Sequence, residues 1–532
     1  MKYPLLIPNC ETLKIPIIDL FAGPGGLGEG FSSLVSKSEN VFEIKLSIEK
    51  DENAHKTLEL RAFVRQFKKG SLPTEYYQLL QESNIQKREK LREILFEKFP
   101  VQSSIAKEEA WLCELGNKKF PSEVIDSRIT EKIGDRRDWL LIGGPPCQAY
   151  SLVGRSRVGG INEEDPRVYL YKEYLRIIAK HHPAVFVMEN VKGLLSAKLN
   201  DAKIFDLIKT DLKDPSTVFP ELNSPRYKVY SLSNPPSEFD DEGQPVYSRD
   251  MDYLIKSEEY GIPQKRHRVI LLGIREDIDV IPDILKKAKT EITVENVIGD
   301  LPKLRSGISK SNSKDGIGRY SKEIDSPENW NEFLSQYLNE VVQWNGFKKD
   351  SKKLPSFNKI KSIGSEFIYY KTPSKENPLN EWFGDEKLNG VCNHQSRSHL
   401  KQDLLRYLFS SLYAETYNRF PRLEDFKKHS DVLMPNHKNA ESGKFNDRFR
   451  TQLKNTAATT VTSHISKDGH YFIHYDPEQC RSFTVREAAR IQTFPDNYLF
   501  CGSRTAQYHQ VGNAVPPYLA LQIARIVLRL FN

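Results

Sequence analysis

The stretch Ile15-Pro16-Ile17-Ile18-Asp19-Leu20-Phe21-Ala22-Gly23-Pro24-Gly25-Gly26-Leu27-Gly28 decides the fold. An apolar run of strand length ends in glycines, which let the backbone turn sharply and let a ligand approach its amides, and the chain then opens a helix. Glu43-Ile44-Lys45-Leu46-Ser47-Ile48-Glu49 alternates as a strand does, and Asp51 precedes a helical stretch through Leu60. Strand, loop, helix, strand and helix in succession predict an α/β protein with a doubly wound, mostly parallel sheet. Glu49, about 20 residues beyond the glycines, is placed to accept hydrogen bonds from both ribose hydroxyls of an adenosine cofactor. NAD, FAD and S-adenosylmethionine all fit such a loop, although Pro24 departs from the dinucleotide fingerprint and disfavours NAD. The plainer alternative, a glycine turn with no ligand, does not account for strand, loop, helix and distal acid coming in this order.

The same rhythm returns further on. Trp139-Leu140-Leu141-Ile142 runs into Gly143-Gly144-Pro145-Pro146-Cys147-Gln148, a strand ending in a stiff turn that presents one cysteine. Ala184-Val185-Phe186-Val187-Met188 ends in Glu189-Asn190-Val191, and Arg268-Val269-Ile270-Leu271-Leu272-Gly273-Ile274 reads as the last strand of this part. A nucleophile and a carboxylate at two strand ends predict a reactive site. Against it stand an inert buried thiol, for which a Pro-Pro-Cys turn is a costly device, and an ordinary strand-end acid. Residues 61–125 interrupt the alternation. Glu75 to Phe99 is rich in Glu, Lys, Arg, Gln and Leu and reads as an inserted helical segment, either a solvated surface addition or a contact for DNA or a partner. Residues 302–480 carry Ser, Lys, Asn and aromatics without strand–helix alternation, as a second domain or a set of long functional loops would. Ala514 to Phe531 is a helix in pattern, with Leu519, Ile523, Ile526, Val527 and Leu530 at helical spacing.

Bulk properties narrow the class. The 532 residues suffice for two to four domains, with 38% hydrophobic and 28% charged residues. No apolar run approaches the roughly 20 residues of a membrane span. Met1 to Leu6 is too short, and too soon broken by Pro8, for a secretory signal, so a cytoplasmic protein is expected. A net charge of +7 permits a polyanionic partner without requiring one. Six scattered cysteines, with no Cys-x-x-Cys pair, suggest neither a disulfide framework nor a zinc site. Cys392-Asn393-His394 with His399 is the one metal-like cluster, and it lacks a second ligand pair, so no metal is expected.

Six strings in fixed order carry a resemblance. They are Asp19 to Gly26, Pro145-Pro146-Cys147-Gln148, Glu189-Asn190-Val191, Gln264-Lys265-Arg266-His267-Arg268, Arg481 to Gln492 with Phe494-Pro495-Asp496, and Gln510-Val511-Gly512-Asn513-Ala514-Val515-Pro516. In this order the chain resembles the DNA (cytosine-5)-methyltransferases of bacterial restriction–modification type, over roughly 14–58, 138–301 and 481–528.

The resemblance implies the S-adenosylmethionine-dependent methyltransferase fold with a second, smaller target-recognition domain. The expected division is a catalytic and cofactor domain over 1–301 with the helical insertion at about 61–125, a recognition domain over 302–480, a hinge segment over 481–506, and a C-terminal helix over 507–532 returning to the catalytic domain. It implies S-adenosylmethionine as methyl donor, with Phe21, Ala22, Gly23 and Gly26 along its methionine and adenine side and Glu49 at the ribose. Pro146, Leu170, Asn513 and Val515 complete the pocket, and Asp126 is the candidate acid for the adenine amine. It also implies Cys147 as the nucleophile at carbon 6 of cytosine, Glu189 as the acid at ring nitrogen 3, and Arg266 and Arg268 as cations against the base and catalytic groups.

Double-stranded DNA is the implied partner, with a cognate restriction endonuclease or defence system acting alongside, and a monomer is expected. The target base must leave the helix stack. Residues 149–168, glycine-rich and cationic, are expected to close over it. Polar and basic side chains between His437 and His470 suit phosphate and base-edge contacts. An RNA cytosine methyltransferase, a non-catalytic DNA-binding protein and a nicotinamide oxidoreductase are the rival readings. The large variable region, the complete Cys147, Glu189, Arg266 and Arg268 set, and the Pro-Pro-Cys turn respectively speak against them.

Overall fold

A computed structural model describes residues 14–36, 39–68, 70–146, 166–199, 202–309, 325–343, 354–371, 375–435 and 447–531. The apolar runs become the strands of one sheet: β1 (Ile15–Leu20), β2 (Phe42–Glu49), β3 (Ala110–Leu112), β4 (Leu140–Gly143), β5 (Val185–Val191), β6 (Tyr227–Ser231), β7 (Leu254–Lys256) and β8 (His267–Arg275). Their order is β6-β8-β5-β4-β1-β2-β3, with β7 also on β8. Strands β1 to β5 are parallel, and β8 is antiparallel to β5, β6 and β7. The antiparallel β8 between β5 and β6 separates this sheet from the all-parallel dinucleotide-binding order and gives the S-adenosylmethionine-dependent methyltransferase architecture.

The period of two sorts side chains between two cores. Ile18, Leu141 and Phe186 face one side, against α6 (Ser122–Ile133), α7 (Pro166–His181) and α8 (Ile204–Lys213). Ile17, Leu140, Ile142 and Val187 face the other, against α1 (Gly26–Ser32) and α15 (Pro517–Leu528). The expected C-terminal helix thus begins at Pro517, where the ring is pre-shaped for a helix start. Its predicted apolar face, Leu519, Ile523, Ile526, Val527 and Leu530, is buried. Arg504–Leu528 is the one stretch among the described residues long and apolar enough to cross a membrane. Its most apolar 18-residue window is 72% buried, and the stretch divides into α14 (Arg504–Asn513) and α15.

After α2 (Glu52–Arg65, capped by the Asp51 carboxylate) come the inserted helices α3 (Thr74–Gln81), α4 (Ile85–Lys98) and α5 (Pro100–Glu109). Of the helical insertion expected at about 61–125, the inserted helices end at Glu109, the chain re-enters the sheet at β3, and α6 belongs to the sheet's own face. Nor is the insertion merely a solvated addition. Tyr76, Tyr77, Leu79, Leu80, Leu95 and Phe96 share a core with Phe367, Leu388, Cys392 and Leu499.

Residues 302–480 hold two 17-residue helices, α10 (Pro327–Gln343) and α11 (Lys401–Tyr417). Their Trp330, Leu334, Leu404 and Leu408 form a separate core. A hairpin of β9 (Gly364–Tyr369) and β10 (Gly390–Gln395) leads toward the catalytic part.

Of the segment 481–506 expected as a hinge, Arg481–Phe500 is buried apart from Pro495 and Asn497, whereas Ser503 and Thr505 are exposed. Its helix α13 (Val485–Ile491) starts with a reciprocal cap between Thr484 and Glu487. Glu487 also takes two hydrogen bonds from Arg481, at 2.6 and 2.7 Å. Burial alone would raise the Glu487 carboxyl, but Arg481 and His474 hold it well below the usual carboxylate range. Arg490 is clasped by Asp496 at 2.7 Å and Asp300 at 2.6 Å. Removing one partner of such a buried pair costs about 3–5 kcal/mol.

Candidate active site at the strand ends

The ends of β1, β2, β4 and β5 converge where the strand order reverses, the place at which open α/β sheets bind ligands. The glycine loop is built first. Phe21 has φ 56°, a left-handed conformation costing a non-glycine residue roughly 1–2 kcal/mol. Gly23 and Gly25 follow at φ 59° and 93°. The Gly23 amide donates to Glu49 Oε2 at 2.8 Å, and the Asp51 amide donates to Glu49 Oε1 at 2.7 Å. Burial raises the Glu49 carboxyl, and these amides oppose it. Each Glu49 oxygen keeps a further acceptor site, which is what a ribose diol requires.

A Cβ on Gly26 would lie 2.2 Å from the Val515 carbonyl oxygen, so Gly26 and Val515 touch backbone to backbone. Phe21 and Leu170 are half-buried against the same core, Pro146 is half-buried and Asn513 is exposed at the end of α14. Ala22 is held by its amide on the Ile48 carbonyl at 3.0 Å. This donor set fits an adenosine-type cofactor. Asp19 lies just below, where burial holds its carboxyl well above the usual range.

Asp126 does not join this group. On α6 it accepts from Arg176 Nη1 at 2.8 and 2.9 Å and lies 3.0 Å from His181 Nε2, both on α7. It is a helix–helix tie rather than a cleft acid. The acid that follows the strand next to β2 is Glu114. Glu49 and Leu112 are in register, and Glu114 is 3.0 Å from Lys50 Nζ, with Asn117 and Lys50 lowering its carboxyl. The three-residue β3, behind three inserted helices, left little periodicity by which to find Glu114. The signal was an acid directly after Trp111-Leu112-Cys113.

At the second strand pair, a Cβ on Gly144 would come within 3.1 Å of Glu189 Oε2. The Gly143–Pro146 turn therefore lies against the Glu189 carboxylate. Arg268 Nε lies 2.8 Å from Glu189 Oε1. This is an ion pair by distance, with the N–H off the hydrogen-bond line, since no hydrogen bond satisfies that nitrogen. Asn190 turns back on the chain, accepting from the Val191 amide at 2.8 Å.

Cys147 lies outside the described residues, as does the expected closing segment up to residue 165. Lys438, Lys444 and Glu441 lie outside as well.

Arg266 is expected against the base and the catalytic groups. It is 2% exposed and donates through Nη1 to the carbonyls of Val461 at 2.8 Å and Gly512 at 3.3 Å. Burial and the Arg268 charge work against its charged form, while Glu189 works for it. It clasps backbone through Nη1, and its charge is felt by the catalytic groups' side of the site, Glu189 and Arg268. Gln264 assists, accepting from the Val461 amide at 3.1 Å, and Thr460 Oγ1 donates to the Lys265 carbonyl at 2.7 Å. The Thr459–His464 segment is thereby docked onto the β8 entry strand. Arg448 and Arg450 pair with Asp468 and Asp447, which makes them ion-paired supports. Cys392, His394 and His399 go to separate partners. Among the described residues no three His, Cys, Asp or Glu side chains cluster as metal ligands.

Comparison with known proteins adds to this geometry. The family model for C-5 cytosine-specific DNA methylase matches residues 97–216 and 231–529. The type II methyltransferase M.Bpa9945I of Bacillus paralicheniformis is 32% identical over 538 residues, covering 97% of this chain and 99% of that protein. The type II methyltransferase M.DdeI of Desulfomicrobium norvegicum is 27% identical over 398 residues, 72% of this chain and 71% of that protein.

Proposed function

Since the chain belongs to the C-5 cytosine-specific DNA methylase family and methylates carbon 5 of cytosine in DNA, we propose that it does so through Cys147, with S-adenosylmethionine held by the glycine loop. The observation that carries this reading is the convergence of two strand-end pairs. The Gly143–Pro146 turn lies against Glu189, and the Phe21–Gly26 loop is tied to Glu49.

Phe21, Ala22, Gly23, Gly26 and Val515 would wall the cofactor pocket, with Leu170, Pro146 and Asn513 at its rim. Glu49 would take the ribose hydroxyls, and Glu114, in place of Asp126, the adenine amine. When bound, the sulfonium supplies an electrophilic methyl group. Carbon 5 of cytosine is a weak nucleophile, and the Cys147 thiolate bonding to carbon 6 makes it enamine-like. Glu189 relieves the charge developing in the ring by a proton or hydrogen bond at nitrogen 3. Arg268 holds the Glu189 carboxyl in place from the β8 side. Arg266 acts at one remove, fixing the Thr459–His464 segment and the end of α14. After the carbon 5 proton leaves to a base, the sulfur–carbon 6 bond breaks and the thiolate returns.

Residues 302–480 are the recognition region in this account, duplex DNA is the substrate, and the chain serves as the cytoplasmic modification partner of a type II restriction endonuclease. The test is methyl transfer from labelled donor to duplex DNA and to tRNA, with nucleoside analysis and bisulfite sequencing. Label in 5-methylcytosine of DNA at one sequence context, lost in Cys147→Ser, is expected. Label on adenine, label in tRNA alone, or full activity of Cys147→Ser would overturn the reading.

A further inference from the structure

The inserted helices touch both halves of the proposed machinery. Toward residues 302–480, the Tyr77 hydroxyl lies 3.1 and 3.2 Å from the Asp385 oxygens, and Gln81 Nε2 donates to the Leu388 carbonyl at 3.2 Å. Arg88 Nη1 lies 3.2 Å from Glu366 Oε2, both buried. That oxygen also accepts from Asn393 at 2.9 Å and Gln507 at 3.2 Å. The hairpin β9–β10 is therefore held by α3 and α4 on one side and by α14 on the other.

Toward the cofactor loop, Tyr76 donates to the Asn497 carbonyl at 3.0 Å. Asn497 Nδ2 donates to Asp385 Oδ2 at 2.8 Å, and its Oδ1 accepts from Arg61 at 3.2 Å. The next residue, Tyr498, donates its hydroxyl to the Pro24 carbonyl inside the glycine loop. Its ring carries the Arg61 guanidinium at 4.5 Å, and Arg61 is paired with Glu29 of α1 at 2.5 Å. Pro24, Tyr498, Asn497, Asp385 and Tyr77 thus form one unbroken line of contacts from the loop to the insertion and the recognition hairpin.

We propose that α3 and α4 form a brace holding the recognition hairpin in register with the cofactor loop, with Tyr77, Asp385, Asn497 and Tyr498 as positioning residues, so that an ordered loop favours the DNA-binding posture. This rests on the reading of the loop as the cofactor site and of 302–480 as the recognition region. Linkage makes the effect reciprocal, so whatever factor the cofactor adds to DNA affinity DNA adds to cofactor affinity.

The test measures duplex affinity by fluorescence anisotropy, using the site found by bisulfite sequencing, with and without S-adenosylhomocysteine. The full chain is compared with Tyr77→Phe, Asp385→Asn, Tyr498→Phe and the Tyr77→Phe/Tyr498→Phe double variant, each checked by thermal unfolding. The cofactor product should tighten wild-type DNA binding at least about fivefold, the lower end of ordinary coupling. Each single variant should bring that factor below about twofold while leaving both separate affinities near wild type. The double variant should lose no more than either single one, as two points on one path do. An unchanged factor, additive losses, or a loss confined to DNA affinity without cofactor would overturn the brace. A wild-type chain that binds both ligands independently would also overturn the brace alone, whereas one that fails to bind S-adenosylhomocysteine or duplex would overturn the site reading beneath it.

Discussion

Replacing Gly26 by alanine tests the cofactor loop through a contact that leaves no freedom. The added Cβ would meet the Val515 carbonyl oxygen at 2.2 Å and the Val515 nitrogen at 3.2 Å. A comfortable carbon–oxygen contact is about 3.3 Å, so the two backbones must part by roughly 1 Å. Helix α1 cannot slide away easily, because Gly30 one turn on is packed with no room for a Cβ, which would meet that of Ala520 at 2.4 Å. Overpacking of this kind costs about 1–3 kcal/mol. If the loop and Val515 absorb the displacement, cofactor affinity falls roughly 5- to 150-fold at 1.4 kcal/mol per decade. Isothermal titration with S-adenosylhomocysteine measures the loss, and thermal unfolding reports how much is shared with the fold. A Gly26→Ala chain with wild-type affinity and wild-type melting would refute the packing of Val515 on the loop.

Other outcomes follow from the same geometry. Glu114→Gln should weaken S-adenosylhomocysteine binding about fivefold, one hydrogen bond's worth, while Asp126→Asn should leave binding intact and lower stability by about 1 kcal/mol; the reverse pattern would restore Asp126 to the pocket. Glu189→Gln should keep DNA and cofactor binding but lower kcat by roughly 10²–10⁴, measured in single-turnover methyl transfer; a variant with normal kcat would remove Glu189 from the chemistry. His394 is bonded to Thr484 and the Pro302 carbonyl at 2.9 Å each, and burial brings its pKa to about 4. The unfolded chain, at about 6.5, binds this proton first. Stability should therefore fall as pH drops from about 6.5 to 4, by up to about 3 kcal/mol from this group. Urea unfolding of His394→Gln should show a shallower pH slope than wild type, and an identical slope would contradict the assignment.

What the sequence disclosed followed from how strongly each element is determined locally. Strands β1, β4, β5 and β8 lie within three residues of their apolar runs, because strands buried on both faces leave continuous hydrophobic stretches, and β2 showed itself by its alternation. The glycine loop was legible because turns with positive φ restrict residue type. Strand β3 is three residues long and follows three helices, so it left no period to detect, and the acid after it was missed. Tyr76, Tyr77, Leu79 and Leu80 were overlooked because the charged face of α4 dominates the composition of the insertion. Residue type alone does not show that Arg266, Arg481, Arg486 and Arg490 are buried. Glu487 and Asp496 are local partners of Arg481 and Arg490, but the Val461, Leu304 and Cys392 carbonyls and the Asp300 carboxylate come from distant parts of the chain, and only the tertiary structure brings them together.

The most direct measurement of the central claim is covalent trapping. A duplex carrying 5-fluorocytosine at the target position, incubated with the chain and S-adenosylmethionine, cannot lose the group at carbon 5 and should stall with sulfur attached to carbon 6. A denaturation-resistant protein–DNA adduct whose mass maps to the peptide containing Cys147 is expected. Methylation of ordinary cytosine without any adduct, or an adduct on another residue, would contradict that claim.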